Sequence, residues 1–148
     1  MKYRIACLGG TFDVPMHQGH KAVLSMAFAS AEFVHIGLTT DSLANLKHGK
    51  VHQYEERRKQ LADYLNSSGF ENRYEIVPIS DYYGKALLRR DFEAIVVSEE
   101  TLVRAMEINE RRSALGMQKM DILKVETVYG DDNKKLSSTR IRDLNNNK

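Results

Sequence analysis

Gly9-Gly10-Thr11-Phe12-Asp13-Val14-Pro15-Met16-His17-Gln18-Gly19-His20 is the stretch from which the rest of the chain is read. Ahead of it, Tyr3-Arg4-Ile5-Ala6-Cys7-Leu8 is a short, largely apolar run stopped by two glycines, which predicts a buried strand of a parallel sheet. Behind it, Ala22, Leu24, Met26, Ala27, Phe28 and Ala31 make a broad apolar helical face. The stretch is therefore a strand-to-helix crossing. Gly9 and Gly10 let the backbone turn without a side-chain clash and let a bulky anion come close to the main chain. The helix start adds unpaired N–H groups and the positive end of a macrodipole. His17 and His20 flank Gly19 at that start, where both can face one anion. A histidine donating to a pentavalent phosphate stabilises charge as it builds, with no covalent step.

The remaining segments alternate strand and helix. Phe33-Val34-His35-Ile36-Gly37-Leu38 reads as a second buried strand, with His35 a structural residue within it, and Asp41-Ser42 as the cap of a short helical turn. A polar stretch with Lys47 and Lys50 follows, leaving the same sheet end as the glycine turn. Residues 53–65 have helical spacing at Tyr54, Arg58, Leu61 and Leu65, and their charged run reads as a solvated face. Tyr74-Glu75-Ile76-Val77-Pro78-Ile79 is a third strand, which Pro78 either ends or places at the sheet edge. A turn at 80–84 leads to a short helix through Leu87-Leu88, and Ala94-Ile95-Val96-Val97 is the fourth strand. Ser98 caps the helix that follows, which Gly116 stops. Alternation over 121–128 suits an edge strand, and Leu136-Ser137-Ser138-Thr139-Arg140-Ile141-Arg142 reads as a capped helix start.

These elements predict an α/β protein: one domain over 1–148, a Rossmann-like doubly wound parallel sheet of five strands, and a frayed tail at 143–148. If the winding reverses in the second half, the first and fourth strands become neighbours. Their following loops then flank the binding crevice, bringing Ser98 near the glycine turn.

The chain has 148 residues, with 22 basic against 20 acidic side chains interleaved and a net charge of +2, so it has no electrostatic footprint for a nucleic-acid duplex. Cys7 is its single cysteine, which excludes an internal disulfide and a cysteine-based zinc site. No apolar run approaches the roughly 20 residues that span a bilayer, and Gly9-Gly10 and Asp13 interrupt any leader-like segment. A cytoplasmic protein with no membrane partner is expected.

Gly-Thr-Phe-Asp at 10–13 followed by His-x-Gly-His at 17–20 resembles the signature of the nucleotidyltransferase superfamily. That resemblance implies that Gly9, Gly10, Thr11, Phe12, His17, Gly19 and His20 contact the nucleotide, and that the chemistry moves a nucleotidyl group with release of pyrophosphate. The family usually has two residues between its Asp and first His, whereas Val14-Pro15-Met16 makes three here, so the loop is expected to bulge. The same superfamily carries a late Ser-Ser-Thr-x-Ile-Arg element, matched by 137–142, which implies contact of Ser137, Ser138, Thr139 and Arg140 with the β- and γ-phosphates of ATP.

With the segments 80–84, 94–101 and 108–112 included, the likeness extends over nearly the whole chain and is to the archaeal and eukaryotic type of phosphopantetheine adenylyltransferase. It implies transfer of AMP from ATP to 4'-phosphopantetheine, giving dephospho-coenzyme A. The expected route is direct in-line attack. Thr11 orients the attacking phosphate, His20 and His17 bind the α-phosphate, Lys47 or Lys50 reaches both reacting phosphates, and Mg²⁺ bridges phosphate oxygens with few protein ligands. Thr11, Asp13, Asp41, Lys50, Asn109 and Arg112 are the expected acceptor contacts, although Asp13 suits a turn-stabilising role equally. From the motifs alone, the same chemistry on riboflavin phosphate, glycerol phosphate or nicotinamide mononucleotide, or a nucleotide-binding module without turnover, stays open.

Overall fold

The computed structural model describes residues 1–126 and the backbone of Ser138–Arg140. In chain order the elements are β1 (Tyr3–Gly10), α1 (Gln18–Ser30), β2 (Ala31–Thr39), α2 (Asp41–His48), α3 (Tyr54–Ser67), β3 (Tyr74–Ile79), β4 (Ala94–Val97), α4 (Leu102–Ala114), β5 (Asp121–Val125) and β6 (Ser138–Arg140). They form one sheet in the order β3-β2-β1-β4-β5-β6. The five strands from β3 to β5 are parallel, as the alternating pattern predicts. From β1 the chain winds outward to β2 and β3, then crosses back to β4 on the other side of β1. The winding therefore reverses between β1 and β4, where open α/β sheets bind ligands beyond the carboxyl ends of their strands. Cys7 pairs with Ile95 across those two strands, and the register carried forward brings Ser98 level with Gly10.

Because successive side chains alternate across a strand, each face of the sheet builds its own core. Leu8, Val34, Ile36 and Leu38 pack against Leu24 and Phe28 of α1 and Leu61 and Leu65 of α3. On the other face Cys7, Ile95, Val97 and Ile122 meet Ala105 and Ile108 of α4, with Phe92 and Met120. All four residues of β4 are buried, as expected of a central parallel strand covered on both faces.

Several local expectations are corrected. Ser138–Arg140 runs as a strand antiparallel to β5, where the sequence predicts a helix start, because the outer edge of β5 offers it a ladder of backbone partners. That pairing also makes β5 an inner strand rather than an edge. Residues 80–88 form turns and no helix: Asp81 Oδ1 accepts from the N–H groups of Tyr83 and Gly84, and Gly84 takes φ 52°. Thr40, not Asp41 or Ser42, caps α2, its hydroxyl accepting from Leu43 N–H at 3.4 Å. The expected tail at 143–148 lies outside the described residues.

Asn109 and Arg112, expected at the acceptor, belong to the core instead. The Asn109 amide donates to Met120 O and accepts from Met120 N–H, tying α4 to the entry of β5. Arg112 donates to the carbonyls of Gln118, Ala86, Arg89 and Phe92 at 2.9, 2.7, 3.0 and 3.3 Å. Burial lowers its pKa, and four carbonyls take up its charge-bearing donors. Arg112→Met should therefore cost about 3 kcal/mol and lower the melting temperature by about 10 °C, with little change in acceptor KM. A normal melting curve with weakened acceptor binding would return Arg112 to the site.

Candidate active site

Local packing fixes the glycine turn. A Cβ on Gly10 would lie 2.9 Å from Phe12 Cε2, so this position must be glycine for the Phe12 ring to fold back into the core. Phe12 has φ 47° and is buried, and its ring centroid lies 5.0 Å from that of His20. The hydroxyls of Thr39 and Thr11 hydrogen-bond at 3.0 Å, joining the ends of β2 and β1.

Arg57 of α3 organises these ends. Its side chain is fully buried and donates to Thr11 O at 3.0 Å, to His52 O at 2.7 Å and to Asp41 Oδ1 at 3.0 Å. One guanidinium thus fastens the loop after β1, the start of α2 and the segment before α3, which its rigid fork suits. Gln60, one turn on, supports the bulge that the extra residue creates. Its amide accepts from Met16 N–H at 2.9 Å and donates to Phe12 O and Asp13 O at 3.4 Å, and the Val14–Pro15 peptide within the bulge is cis. Asp13 Oδ1 accepts from Val14 N–H, His52 N–H and His52 Nδ1. Burial raises the Asp13 pKa, but these hydrogen bonds outweigh it and hold the carboxyl below its ordinary value. Of the two roles weighed for Asp13, these bonds describe the turn-stabilising one.

At the start of α1 the two histidines cap the helix together. His17 Nδ1 accepts from Gly19 N–H at 3.0 Å and His20 N–H at 3.4 Å, while His20 Nδ1 accepts from His17 N–H at 3.4 Å. This is a reciprocal capping box built from imidazoles. The rings stack at 3.7 Å between centroids, and a Cβ on Gly19 would come within 3.0 Å of His17 Cε1. The His-x-Gly-His spacing thus serves the cap itself. With Nδ1 an acceptor in both rings, the proton of each neutral imidazole sits on Nε2. The helix start presents two such donors beside its own backbone N–H groups.

Burial, followed by the neighbouring His17, pushes the His20 pKa down to about 4 from 6.5. His20 is therefore neutral at pH 7 and donates without carrying charge. The sign of the stability effect follows. Between pH 6.5 and 4 the unfolded chain binds a proton that folded His20 refuses, so stability falls as pH drops through that window. His20→Gln should flatten this part of the profile, as measured by denaturation midpoints at pH 7 and pH 5. An identical pH dependence in both proteins would remove His20 as its source.

On the opposite face, Gly9 and Gly37 pair in register across β1 and β2. Ile79 packs into the space their missing side chains leave, 2.9 Å from a Cβ on Gly37 and 3.6 Å from one on Gly9, and beside it a narrow slot at the carboxyl end of the sheet is lined by Gly9, Gly37, His35, Tyr82 and Tyr83. Tyr82 is held between Lys47, 5.3 Å from its centroid, and Arg104, 4.0 Å from it.

The structure therefore brings Gly9, Gly10, Thr11, Phe12, Asp13, His17, Gly19, His20, Asp41 and Ser98 to one end of the sheet. Lys47 stands in the last turn of α2, and Lys50 just beyond it. Asn109 and Arg112 lie in the core. Ser137 and the side chains of Ser138, Thr139 and Arg140 lie outside the described residues. The backbone of Ser138 pairs with Val125 at the carboxyl end of β5, the same end of the sheet. Sequence reading missed Arg57, Gln60 and His52. Only the place of Arg57 among charged neighbours was visible, and that pointed to solvent. Among the described residues no helix is long and apolar enough to cross a membrane.

Residues 7–144 match the cytidylyltransferase-like family. The phosphopantetheine adenylyltransferase of Methanopyrus kandleri is 39% identical over 142 residues, 95% of this chain and 90% of that protein. The phosphopantetheine adenylyltransferase of Methanosarcina barkeri is 42% identical over 137 residues, 90% of this chain and 83% of that one. A crystal structure of a protein of unknown function from Archaeoglobus fulgidus superposes with a TM-score of 0.76 at 35% identity, covering 94% of this chain and 96% of the other. A lipopolysaccharide core biosynthesis protein from Thermoplasma volcanium shares the fold, with a TM-score of 0.59 at 16% identity over 86% of this chain and 98% of its own.

Proposed function

Because the chain belongs to the cytidylyltransferase-like family, and within it to the phosphopantetheine adenylyltransferases, we propose that it transfers AMP from ATP to 4'-phosphopantetheine, giving dephospho-coenzyme A and pyrophosphate. The acceptor phosphate attacks the α-phosphorus in line. A new oxygen–phosphorus bond forms as the bond to the pyrophosphate oxygen breaks, and no protein nucleophile takes part. The observation that carries this reading is the two-histidine cap of α1, which presents Nε2–H donors at a helix start, that of His20 neutral at working pH. Charge that builds on the α-phosphate oxygens meets them already in place.

Thr11, secured by Arg57 and Thr39, positions the attacking phosphate. His20 and His17 hold the α-phosphate. Lys47, in the last turn of α2, or Lys50, just beyond it, reaches the reacting phosphates. Ser98 faces the nucleotide from the end of β4, and Ser137, Ser138, Thr139 and Arg140 hold the leaving pyrophosphate. The acceptor arm lies in the slot lined by Gly9 and Gly37. Mg²⁺ carried on the ATP phosphates supplies charge neutralisation when bound. Among the described residues, no group of three or more His, Cys, Asp or Glu side chains is arranged to hold a metal ion. The site of action is the cytoplasm.

Pyrophosphate release from ATP tests this, with 4'-phosphopantetheine, riboflavin phosphate, glycerol phosphate and nicotinamide mononucleotide supplied in turn as acceptors. Turnover is expected with the first. Turnover only with another acceptor would reassign the substrate, and none with any would leave a binding module.

A further inference from the structure

The floor of the slot over Gly9 and Gly37 contains a polar atom with no assigned task. Cys7 and His35, paired in register across β1 and β2, lie one pleat below the two glycines on the same face and line the slot. His35 is only 4% exposed. Its ring is fixed on one side by Phe92, 4.8 Å between centroids, and its Nδ1 lies 2.8 Å from Glu75 Oε2. A carboxylate at Nδ1 accepts that proton, so in the neutral ring Nε2 keeps a lone pair. Nε2 is buried and has no hydrogen-bond partner among the described residues. Buried polar atoms in folded proteins are paired as a rule, so an orphan on a residue that lines a slot is available to a ligand donor.

The slot is largely apolar, with Ile79, Ile95 and Phe92 in its walls and Tyr82, Tyr83 and Lys85 also lining it, and a Cβ on Gly37 would come 2.9 Å from Ile79 Cγ2. A narrow, largely apolar channel with an unpaired acceptor at its floor suits a slender chain bearing an N–H donor. We propose that His35 Nε2 accepts a hydrogen bond from an amide N–H of the acceptor's arm, which makes His35 a specificity-determining residue. This rests on the adenylyltransfer reading above. His35 acts on recognition and takes no part in the phosphoryl chemistry. A phosphorylated acceptor with no amide arm leaves Nε2 unpaired and is disfavoured for that reason.

The test separates the two ring nitrogens. Asn places its amide near the Nδ1 position and can keep the bond to Glu75; Gln reaches the Nε2 position and gives that bond up. The KM for 4'-phosphopantetheine should rise about tenfold in His35→Phe and His35→Asn, and return to within about twofold of normal in His35→Gln, with the KM for ATP unchanged in all three. A purely structural histidine gives the opposite order, with Asn mild and Gln severe, and that result overturns the inference. Equal acceptor KM in all four proteins, with normal turnover, also overturns it but leaves the adenylyltransfer reading standing. An S-methyl acceptor should show the same His35 dependence, and loss of that dependence would assign Nε2 to the thiol instead. Failure of the unaltered protein to release pyrophosphate is a failure of the functional reading. In the unaltered protein, ¹⁵N spectra should show the bare ring nitrogen of His35 shifting when 4'-phosphopantetheine is added. No shift at saturating acceptor refutes the contact, whether or not the variants fold.

Discussion

His20→Ala should lower kcat by about two to three orders of magnitude, the loss found when one preorganised donor to a developing oxyanion is removed. The expectation comes from three observations. His20 Nδ1 accepts from His17 N–H, which leaves the proton on Nε2. Burial holds its pKa near 4, so the donor is present and neutral at working pH. The Phe12 and His17 rings fix its orientation from two sides. Such a donor strengthens its bond as charge builds on the phosphate, so the loss should fall on kcat more than on the KM for ATP. The fold should survive, since Phe12 and Leu24 carry the local core. Near-normal turnover in a folded His20→Ala protein would remove the residue from the mechanism.

Arg57→Met should destabilise the protein by about 3 kcal/mol, or about 10 °C in melting temperature, and should also depress turnover. The substitution keeps apolar bulk but strips donors from Thr11 O and His52 O and leaves Asp41 without its ion pair. Arg57→Lys should rescue little, because one ammonium cannot reach three partners on three segments. The diagnostic feature is coupling. The residue lies outside the phosphate-binding groups, yet its loss should reduce activity even at temperatures where the protein is fully folded, because Thr11 is no longer held. Full activity of folded Arg57→Met would reduce Arg57 to a core residue.

Legibility in the sequence tracked the range of the interactions. β1, β2, β3 and β4 could be read because apolar runs bounded by Gly, Pro or capping residues reflect local pleat and burial. Handed crossovers permit the reversal between β1 and β4 without requiring it, so the sequence alone poses it only as a condition. The glycine and histidine motif falls at the carboxyl end of the sheet where the winding reverses, and its small residues also serve packing: Gly10 makes room for Phe12, and Gly19 for His17. Those contacts depend on ring positions that no spacing rule supplies. Buried charge was the least legible feature. Arg57 sits in a run of charged residues that reads as a solvated face, and Arg112 sits in the last turn of α4, in a segment that the family resemblance assigns to the acceptor. Their true partners are main-chain carbonyls from distant segments, which leave no pattern in the chain. His35 shows the converse. A structural role was legible, and the ring does bond Glu75, but the unpaired state of Nε2 appears only once β1, β2 and the loop after β3 enclose it.

The most direct measurement is a crystal structure with dephospho-coenzyme A bound, because the product occupies both halves of the site at once. Its transferred phosphate should lie within hydrogen-bonding distance of His20 Nε2 at the start of α1, with the pantetheine arm running over Gly9 and Gly37. A product whose transferred phosphate sits beyond reach of both His17 and His20, or whose arm avoids the slot, would contradict the site as built here.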